Sequence, residues 1–388
     1  MMTSKKLSAI ILARSGSKGI KNKNLKKIGG KSLIEFSIQS AKKSKYVENV
    51  FLSSDSKEYL ELSEKLGAKK IMRPNSLADD FSSSEDALIH AIKEIEESNR
   101  QLSENIIFIQ CTAPFTTAND IDNAFEYFTT SNFDSLFSGQ IFHGFLWNKL
   151  TVEGINHNQR LVRQRRQDVD LNILENGAFY IFKTNSFKKK KNRFSGKIGY
   201  FLQDKINSYE IDNHLDLMIN RFIYKKYVRY NQFININDVK LIVCDFDGVF
   251  TDNNVITDKN GQETVLTSKT DSLSISIFKK NNPLIPIFVL TSELNESVKK
   301  RCQKLNLECF QSKGDKRECL EKILESNDIN PQQVVYLGND KNDITCLKYV
   351  GYPIVVADYD ISTFDSAKII LNSKGGHGAI RELLSIIK

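Results

Sequence analysis

Lys240-Leu-Ile-Val-Cys244-Asp245-Phe246-Asp247-Gly248-Val-Phe-Thr-Asp252 is an apolar run that leads straight into two carboxylates at i and i+2. A short apolar run closed by a turn signal reads as a buried parallel strand. Asp245 and Asp247 then stand just past its C-terminal end, where open α/β sheets bind ligands. Gly248 supplies the turn that lets both converge on one site. Such a pair has a chemistry. One carboxylate attacks phosphorus and ligates magnesium, while the other protonates the leaving group and then activates water. The same pair also serves as a plain helix cap, so its neighbours decide.

Three further signals follow in order. The run Ile285–Leu290 ends in Thr291-Ser292, hydroxyls suited to a phosphoryl oxygen. Lys316 opens a helical pattern after Gly314-Asp315, where it can neutralise developing charge. The run Val334–Leu337 ends in Gly338-Asn339-Asp340-Lys341-Asn342-Asp343, an oxygen-rich cluster suited to magnesium. All lie at expected strand C-termini or the next helix start. Pro353–Ala357 and Lys368–Leu371 are further strands, and Glu296–Leu305 and Lys316–Glu325 are helices.

Upstream, Tyr227–Asp238 is polar, Asn-rich and aperiodic, and marks a boundary. We expect a first domain over 1–228, a linker over 229–238 and a second domain over 239–388. The first half again alternates strand and helix. Ser8–Ala13, Asn49–Ser53, Asn105–Gln110 and Ala178–Phe182 read as strands. Ser32–Lys43, Lys57–Leu66 and Asp86–Glu97 carry helical spacing. The class is α/β, two Rossmann-like domains, the first with a mostly parallel sheet.

The chain has 388 residues and a net charge of +8, and its 40% hydrophobic and 26% charged content is ordinary for a globular protein. No apolar run approaches the ~18–20 residues that span a bilayer, and Leu7–Ala13 is too short for a secretory signal. The six cysteines form no C-x-x-C pair, so neither a disulfide framework nor a zinc site is expected. These features point to a cytoplasmic protein with no membrane partner. Charge is uneven. Residues 1–236 hold 36 basic against 26 acidic side chains, a net +10; residues 237–388 hold 19 against 21, a net −2. A basic half suits an anionic ligand. Lys188–Lys191 are expected as an exposed loop or hairpin tip, and without interleaved aromatics no nucleic acid is expected as a partner.

The second half resembles the haloacid dehalogenase (HAD) phosphatases, in particular the Kdo-8-phosphate and nonulosonate-9-phosphate phosphatases. The opening Asp245–Asp252 motif and the tail Gly375-Gly376-His377-Gly378-Ala379-Ile380-Arg381-Glu382 are similar to theirs. The resemblance implies a HAD-like fold without a large cap, with Asp245 as nucleophile, Asp247 as acid and base, and Thr291 and Lys316 as phosphate binders. Magnesium would be held among Asp245, Asp247, Asn339, Asp340 and Asp343. Two departures stand out: Asn339 occupies a usual metal carboxylate position, and Ser272 follows Asp271 where the family has glycine.

The first strand leads into Arg14-Ser15-Gly16-Ser17-Lys18-Gly19-Ile20-Lys21-Asn22-Lys23-Asn24, a small-residue, cationic loop fit for phosphates. It is neither a Walker A loop nor a dinucleotide fingerprint. The loop resembles that of the CMP-sialic acid synthetases, and the likeness continues through Ser53-Ser54-Asp55, Arg73-Pro74, Leu77-Ala78-Asp79, Gln110–Phe115, Arg165–Asp168 and Glu175–Ala178. It implies an N-terminal nucleotidyltransferase fold. Arg14 and Lys23 would be catalytic. Ser17, Asn24, Arg73, Gln110, Thr112, Arg165, Arg166, Gln167 and Asn176 would bind CTP and a nine-carbon sugar acid, and Glu210 and Asp212 would hold magnesium. Glu210 stands where the family has Asp.

Together these resemblances imply a bifunctional enzyme with Mg2+ in both domains. It would hydrolyse a sialic-type sugar 9-phosphate and couple the free sugar acid to CTP, as a homo-oligomer (dimer through the first domain, tetramer through the second). Two other readings remain at this stage: an inactive phosphatase-like half used for assembly, suggested by Asn339 and Ser272, and a non-catalytic nucleotide-sugar scaffold, suggested by Glu210.

Overall fold

The computed structural model describes residues 6–17, 19–79, 81–158, 160, 165–169, 171–228 and 233–388. Lys18 of the basic loop and residues 229–232 of the expected linker lie outside them. The chain divides into two compact units, Met1–Arg221 and Phe222–Lys388. No helix among the described residues is long and apolar enough to cross a membrane.

The first unit is built on a seven-stranded sheet. Its order is Lys69–Met72, Val47–Ser54, Leu7–Leu12, Asn105–Gln110, Asn172–Lys183, Ser135–Phe142, Ile198–Leu202. The pairs are parallel except where Asn172–Lys183 runs antiparallel to both of its neighbours. Leu7–Leu12 is buried on both faces, which explains its unbroken apolar run. Its register sets Leu12 level with Ser53 on one side and Gln110 on the other. The loops that follow three parallel strands therefore open at one height.

Local chemistry fixes the helices that cover this sheet. Ser32 caps Leu33–Lys43 by accepting from Glu35 N, and Lys42 and Lys43 close its last turn. Thr117 and Asp120 form a capping box on Ala118–Thr130. One face of the sheet buries Ile10, Phe51, Ile106, Phe108, Tyr180 and Phe182 with Leu88, Ile92 and Ile95 of Ser84–Glu97. Full burial of each such side chain is worth about 1.5–3 kcal/mol. Lys188–Lys190 are helical rather than a loop or hairpin tip. They end Thr184–Lys190, where cations favour the helix C-terminus, and Lys191 stops the helix in the left-handed region (φ 53°).

The second unit has a six-stranded parallel sheet in the order Glu308–Gln311, Ile287–Thr291, Leu241–Cys244, Val334–Gly338, Tyr352–Val355, Ile369–Ile370. Apolar clusters cover both faces. A small hairpin, Ile256–Thr257 with Glu263–Thr264, is inserted after the first strand. The glycine-rich tail packs on the Asp245–Asp252 loop of its own chain. Gly376 N donates to Val249 O (2.9 Å), and a Cβ on Gly375 would lie 2.0 Å from Gly248 O. Buried Asp271 accepts from Arg381 N (2.8 Å) at the start of Ala379–Ile386. An early segment of the unit pairs with a late one: Ile234 N donates to Ile386 O and Lys388 N to Ile234 O (2.8 and 2.9 Å). All six cysteines are free thiols.

Candidate active sites

In the first unit the loops after the parallel strands enclose a cavity of about 420 Å3. Of the expected residues, Arg14, Ser17, Lys23, Asn24, Arg73, Gln110, Thr112 and Asp212 line it. Gly19 lets the loop approach the far wall, since a Cβ there would stand 2.2 Å from Asp212 O. Across that contact Lys23 Nζ donates to Ile211 O (2.9 Å) and pairs with Asp212 Oδ1 (3.0 Å). Asn24 donates to Arg14 O (3.1 Å), and Arg14 Nη1 to Asp79 O (2.8 Å).

Arg73 is 5% exposed, and among the described residues its Nε and Nη2 have no hydrogen-bond partner. Burial holds its guanidinium below its ordinary pKa, while nearby Asp55 opposes that shift. A buried, unsatisfied cation beside Arg14 and Lys23 makes the cavity a receptor for anions.

Glu210 and Asp212 flank Ile211, whose N donates to Thr112 O (2.9 Å). Glu210 reaches over Gly177 (φ 61°), and a Cβ on that glycine would lie 2.2 Å from Glu210 Oε1. The extra methylene is therefore accommodated by a residue with no side chain. Burial, then the charge of Asp212, pushes the Glu210 carboxyl up to about 7. A divalent cation held between Glu210 and Asp212 would relieve both causes of the Glu210 shift.

The other expected residues stand outside the cavity lining. Asn176 is buried and engaged, accepting from Ser138 Oγ (2.7 Å) and donating to Gln203 Oε1 (2.8 Å). Arg165 is exposed and pairs with Asp168 (2.7 Å); Arg166 donates to His143 O (2.7 Å); Gln167 is exposed beside them. Asp79 and Ser82–Ser84 also line the cavity, although they were not among the expected site residues. Asp55 takes the N–H and hydroxyl of Ser15, tying the basic loop down. The Ser-Ser-Asp after a strand was the signal available for it.

In the second unit a cavity of about 200 Å3 is lined by Asp245, Asp247, Thr291, Asn339 and Asp340, with Asn253, Ser292, Glu293 and Asn342. Lys316 lies beneath, 1% exposed, with Nζ 2.7 Å from Asp245 Oδ2 and 2.9 Å from Asp343 Oδ1. Asp343 faces inward. It is fully buried and accepts from Tyr336 OH (2.7 Å) and Asn339 N (2.8 Å), so its oxygens are spent on holding Lys316 and the loop. Tyr336, a strand residue in an apolar run, carried no sequence signal for this role.

Burial, then the charge of Asp343, pushes Asp245 up to about 8 despite Lys316, because two buried carboxylates share one cation. On Lys316 burial acts downward, but Asp245 and Asp343 outweigh it and the net shift is up. Asp247 is raised by burial, then by the charge of Glu293, the direction that suits a general acid. Among the described residues no three His, Cys, Asp or Glu side chains are arranged to hold a metal. Asp245, the Asp247 carbonyl and Asn339 still form an all-oxygen donor set suited to magnesium.

The sequence model for the cytidylyltransferase family matches residues 8–238. The chain belongs to that family. A haloacid dehalogenase-like hydrolase model matches residues 232–383 of this cytidylyltransferase, so it is an enzyme that joins a nucleotidyltransferase domain to a hydrolase domain. It is 30% identical to N-acylneuraminate cytidylyltransferase A of Danio rerio, covering 98% of this chain and 88% of that one. It is 29% identical to N-acylneuraminate cytidylyltransferase of Oncorhynchus mykiss, covering 97% and 87%. Over its first part it is 30% identical to pseudaminic acid cytidylyltransferase of Campylobacter jejuni, covering 56% of this chain and 95% of that one.

Proposed function

We propose that this cytidylyltransferase joins a nine-carbon, sialic-type sugar acid to CTP in its first unit, and that its second unit removes phosphate from the sugar's 9-phosphate. The buried Arg73 with two unpartnered nitrogens, set beside Arg14 and Lys23, carries the first assignment. Arg14, Ser17, Lys23 and Asn24 hold the triphosphate, and Gln110 and Thr112 line the approach of the sugar. The anomeric hydroxyl attacks the α-phosphorus, pyrophosphate departs, and the basic loop offsets its charge. Glu210 and Asp212 would hold a magnesium ion, which would supply further charge neutralisation.

In the second unit the Asp245–Lys316 contact of 2.7 Å carries the assignment. An Asp245 oxygen attacks phosphorus, Asp247 gives its proton to the departing C9 oxygen, and an aspartyl-phosphate forms. Asp247 then takes a proton from the water that cleaves it, releasing phosphate and restoring Asp245. Thr291 and Lys316 hold the phosphoryl oxygens. Asp245, Asp247 and Asn339, with Asp340 at the cavity wall, would hold a magnesium ion, which would supply charge neutralisation between nucleophile and phosphate.

The working form is a cytoplasmic homo-oligomer. Exposed apolar side chains support it: Ile141, Leu150, Leu171 and Leu174 in the first unit, Val255, Ile256 and Leu266 in the second. A second reading, an assembly-only hydrolase half, is favoured by the amide at Asn339. The deciding experiment is a panel of free and 9-phosphorylated sugar acids with CTP and Mg2+, with phosphate and pyrophosphate assayed separately. Asp245→Asn abolishes phosphate release and leaves pyrophosphate release from the free sugar intact. Loss of both in a folded protein overturns the two-site assignment, and wild-type protein that releases no phosphate from any member establishes the second reading.

A further inference from the structure

We propose that Arg193 is a positioning residue for nucleotidyl transfer, acting through Glu85 and Phe108 on two walls of the first unit's cavity without touching either substrate. The proposal rests on the cytidylyltransferase reading above. Arg193 follows the helix Thr184–Lys190 and is not one of the residues lining the cavity. Its Nε donates to Glu85 Oε1 (2.6 Å) and its Nη2 to Glu85 Oε2 (2.9 Å), a two-pronged pair whose side chains are 11% and 26% exposed. The guanidinium carbon stands 5.0 Å from the centre of the Phe108 ring and 4.5 Å from that of Tyr180. These two rings are cross-strand neighbours on Asn105–Gln110 and Asn172–Lys183, stacked at 5.7 Å with 17° between their planes. The cation therefore lies across both rings and reaches sideways to a helix.

Both ends of that reach are cavity wall. Phe108 lines the cavity, two residues before Gln110 on the same face of the strand. Glu85 stands in the first turn of Ser84–Glu97, directly after Ser82, Ser83 and Ser84, which also line it. This serine wall is held at each end. Upstream, Asp79 Oδ1 accepts from Ser82 N and from Ser82 Oγ (both 2.7 Å), and the Asp79 carbonyl accepts from Arg14 Nη1. Downstream, the Arg193 fork fixes Glu85.

Stability alone does not account for this arrangement. Over an aromatic floor, apolar packing of the same volume stabilises as well as a buried ion pair, because the pair must first give up its water. What the pair adds is direction. A planar guanidinium bound through two parallel bonds fixes angle as well as distance. Arg193 thus sets where the serines stand against the strand that carries Phe108 and Gln110, and it does so from a segment 108 residues away in sequence.

The test measures pyrophosphate release by the full-length chain with CTP, Mg2+ and a panel of free nine-carbon sugar acids, for wild type, Arg193→Lys, Glu85→Gln and the double variant. Rates are taken per folded site, counted by calorimetric titration with CTP. Arg193→Lys keeps the charge and loses the fork. In each single variant kcat and kcat/KM fall together by about tenfold or more while KM for both substrates stays within about threefold, the pattern of lost alignment rather than lost binding. The double variant is no slower than the slower single one, because the two residues act as one device. Unchanged turnover per folded site in the single variants overturns the positioning role and leaves the transferase reading standing, as does a raised KM at unchanged kcat. Losses that multiply in the double variant show that Arg193 does not act through Glu85 and likewise overturn the proposal. Wild-type protein that releases no pyrophosphate with any sugar acid overturns the transferase reading itself.

Discussion

Replacing Lys316 with methionine removes the single cation shared by Asp245 and Asp343 and keeps most of the side-chain volume. The Lys316 Nζ lies 2.7 and 2.9 Å from the two carboxylates, and the three side chains are 1%, 5% and 0% exposed. Breaking a buried pair by deleting one member costs about 3–5 kcal/mol, because the remaining charge is left without compensation. The cost depends on pH. Asp245 already sits at about 8 against 3.8 unfolded, and losing Lys316 raises it further. Between the unfolded value and the raised folded value the native state holds a proton that the unfolded chain has released, so stability falls as pH rises, by up to about 1.4 kcal/mol per unit for one proton. Both proteins hold the Asp245 proton up to about pH 8, so urea unfolding of wild type and Lys316→Met from pH 5 to 9 gives a difference that is level to about pH 8 and grows above it, where the wild type alone has released that proton. Phosphate release is lost and pyrophosphate release is kept. A difference below about 1 kcal/mol, or one that is flat with pH, refutes the buried triad.

Three further outcomes follow from the first unit. Arg73→Met removes a buried guanidinium with two unsatisfied nitrogens, so the ligand-free protein gains about 1–3 kcal/mol in urea unfolding while CTP affinity falls in calorimetry. Gly19→Ala drives a methyl into Asp212 O, so pyrophosphate release falls at least about tenfold with phosphate release unchanged; equal rates refute the close approach. Glu210, raised to about 7, makes the wild type lose stability as pH rises from about 4.5 to 7, since the folded state keeps its proton longer. Glu210→Gln removes that contribution and makes the urea midpoint fall less steeply with pH, while the Asp245 contribution remains.

The part of this fold that was legible is the part that chemistry repeats. Apolar runs ending in Asp245, Thr291 and the Gly338–Asp343 cluster placed three strands and the catalytic edge, because strand burial and loop polarity change abruptly there. The antiparallel strand Asn172–Lys183 was legible only over residues 178–182. Its first half pairs with Ser135–Phe142 and leaves Leu174 47% exposed, so it lacks a buried apolar face to signal it. Lys69–Met72 escaped notice as a sheet-edge strand with one buried residue. The inward role of Asp343 is not legible because Lys316 reaches it from another helix and the Tyr336 hydroxyl from inside an apolar strand, which no local pattern connects to it. Asn176 looked like a substrate contact for the same reason, its partners Ser138 and Gln203 being tertiary.

The pairing of Ile234 with Ile387 has a practical meaning for engineering. It is a clasp of backbone bonds between segments far apart in sequence, so a splice or insertion that moved either segment would open it. It also means that a tag on Lys388 would hang from a residue that bonds Ile234 and Ile236. Such an appendage would pull at the seam where the module closes on itself, well away from its catalytic edge, and a looser seam would first appear as faster amide exchange at Ile234 and Ile236.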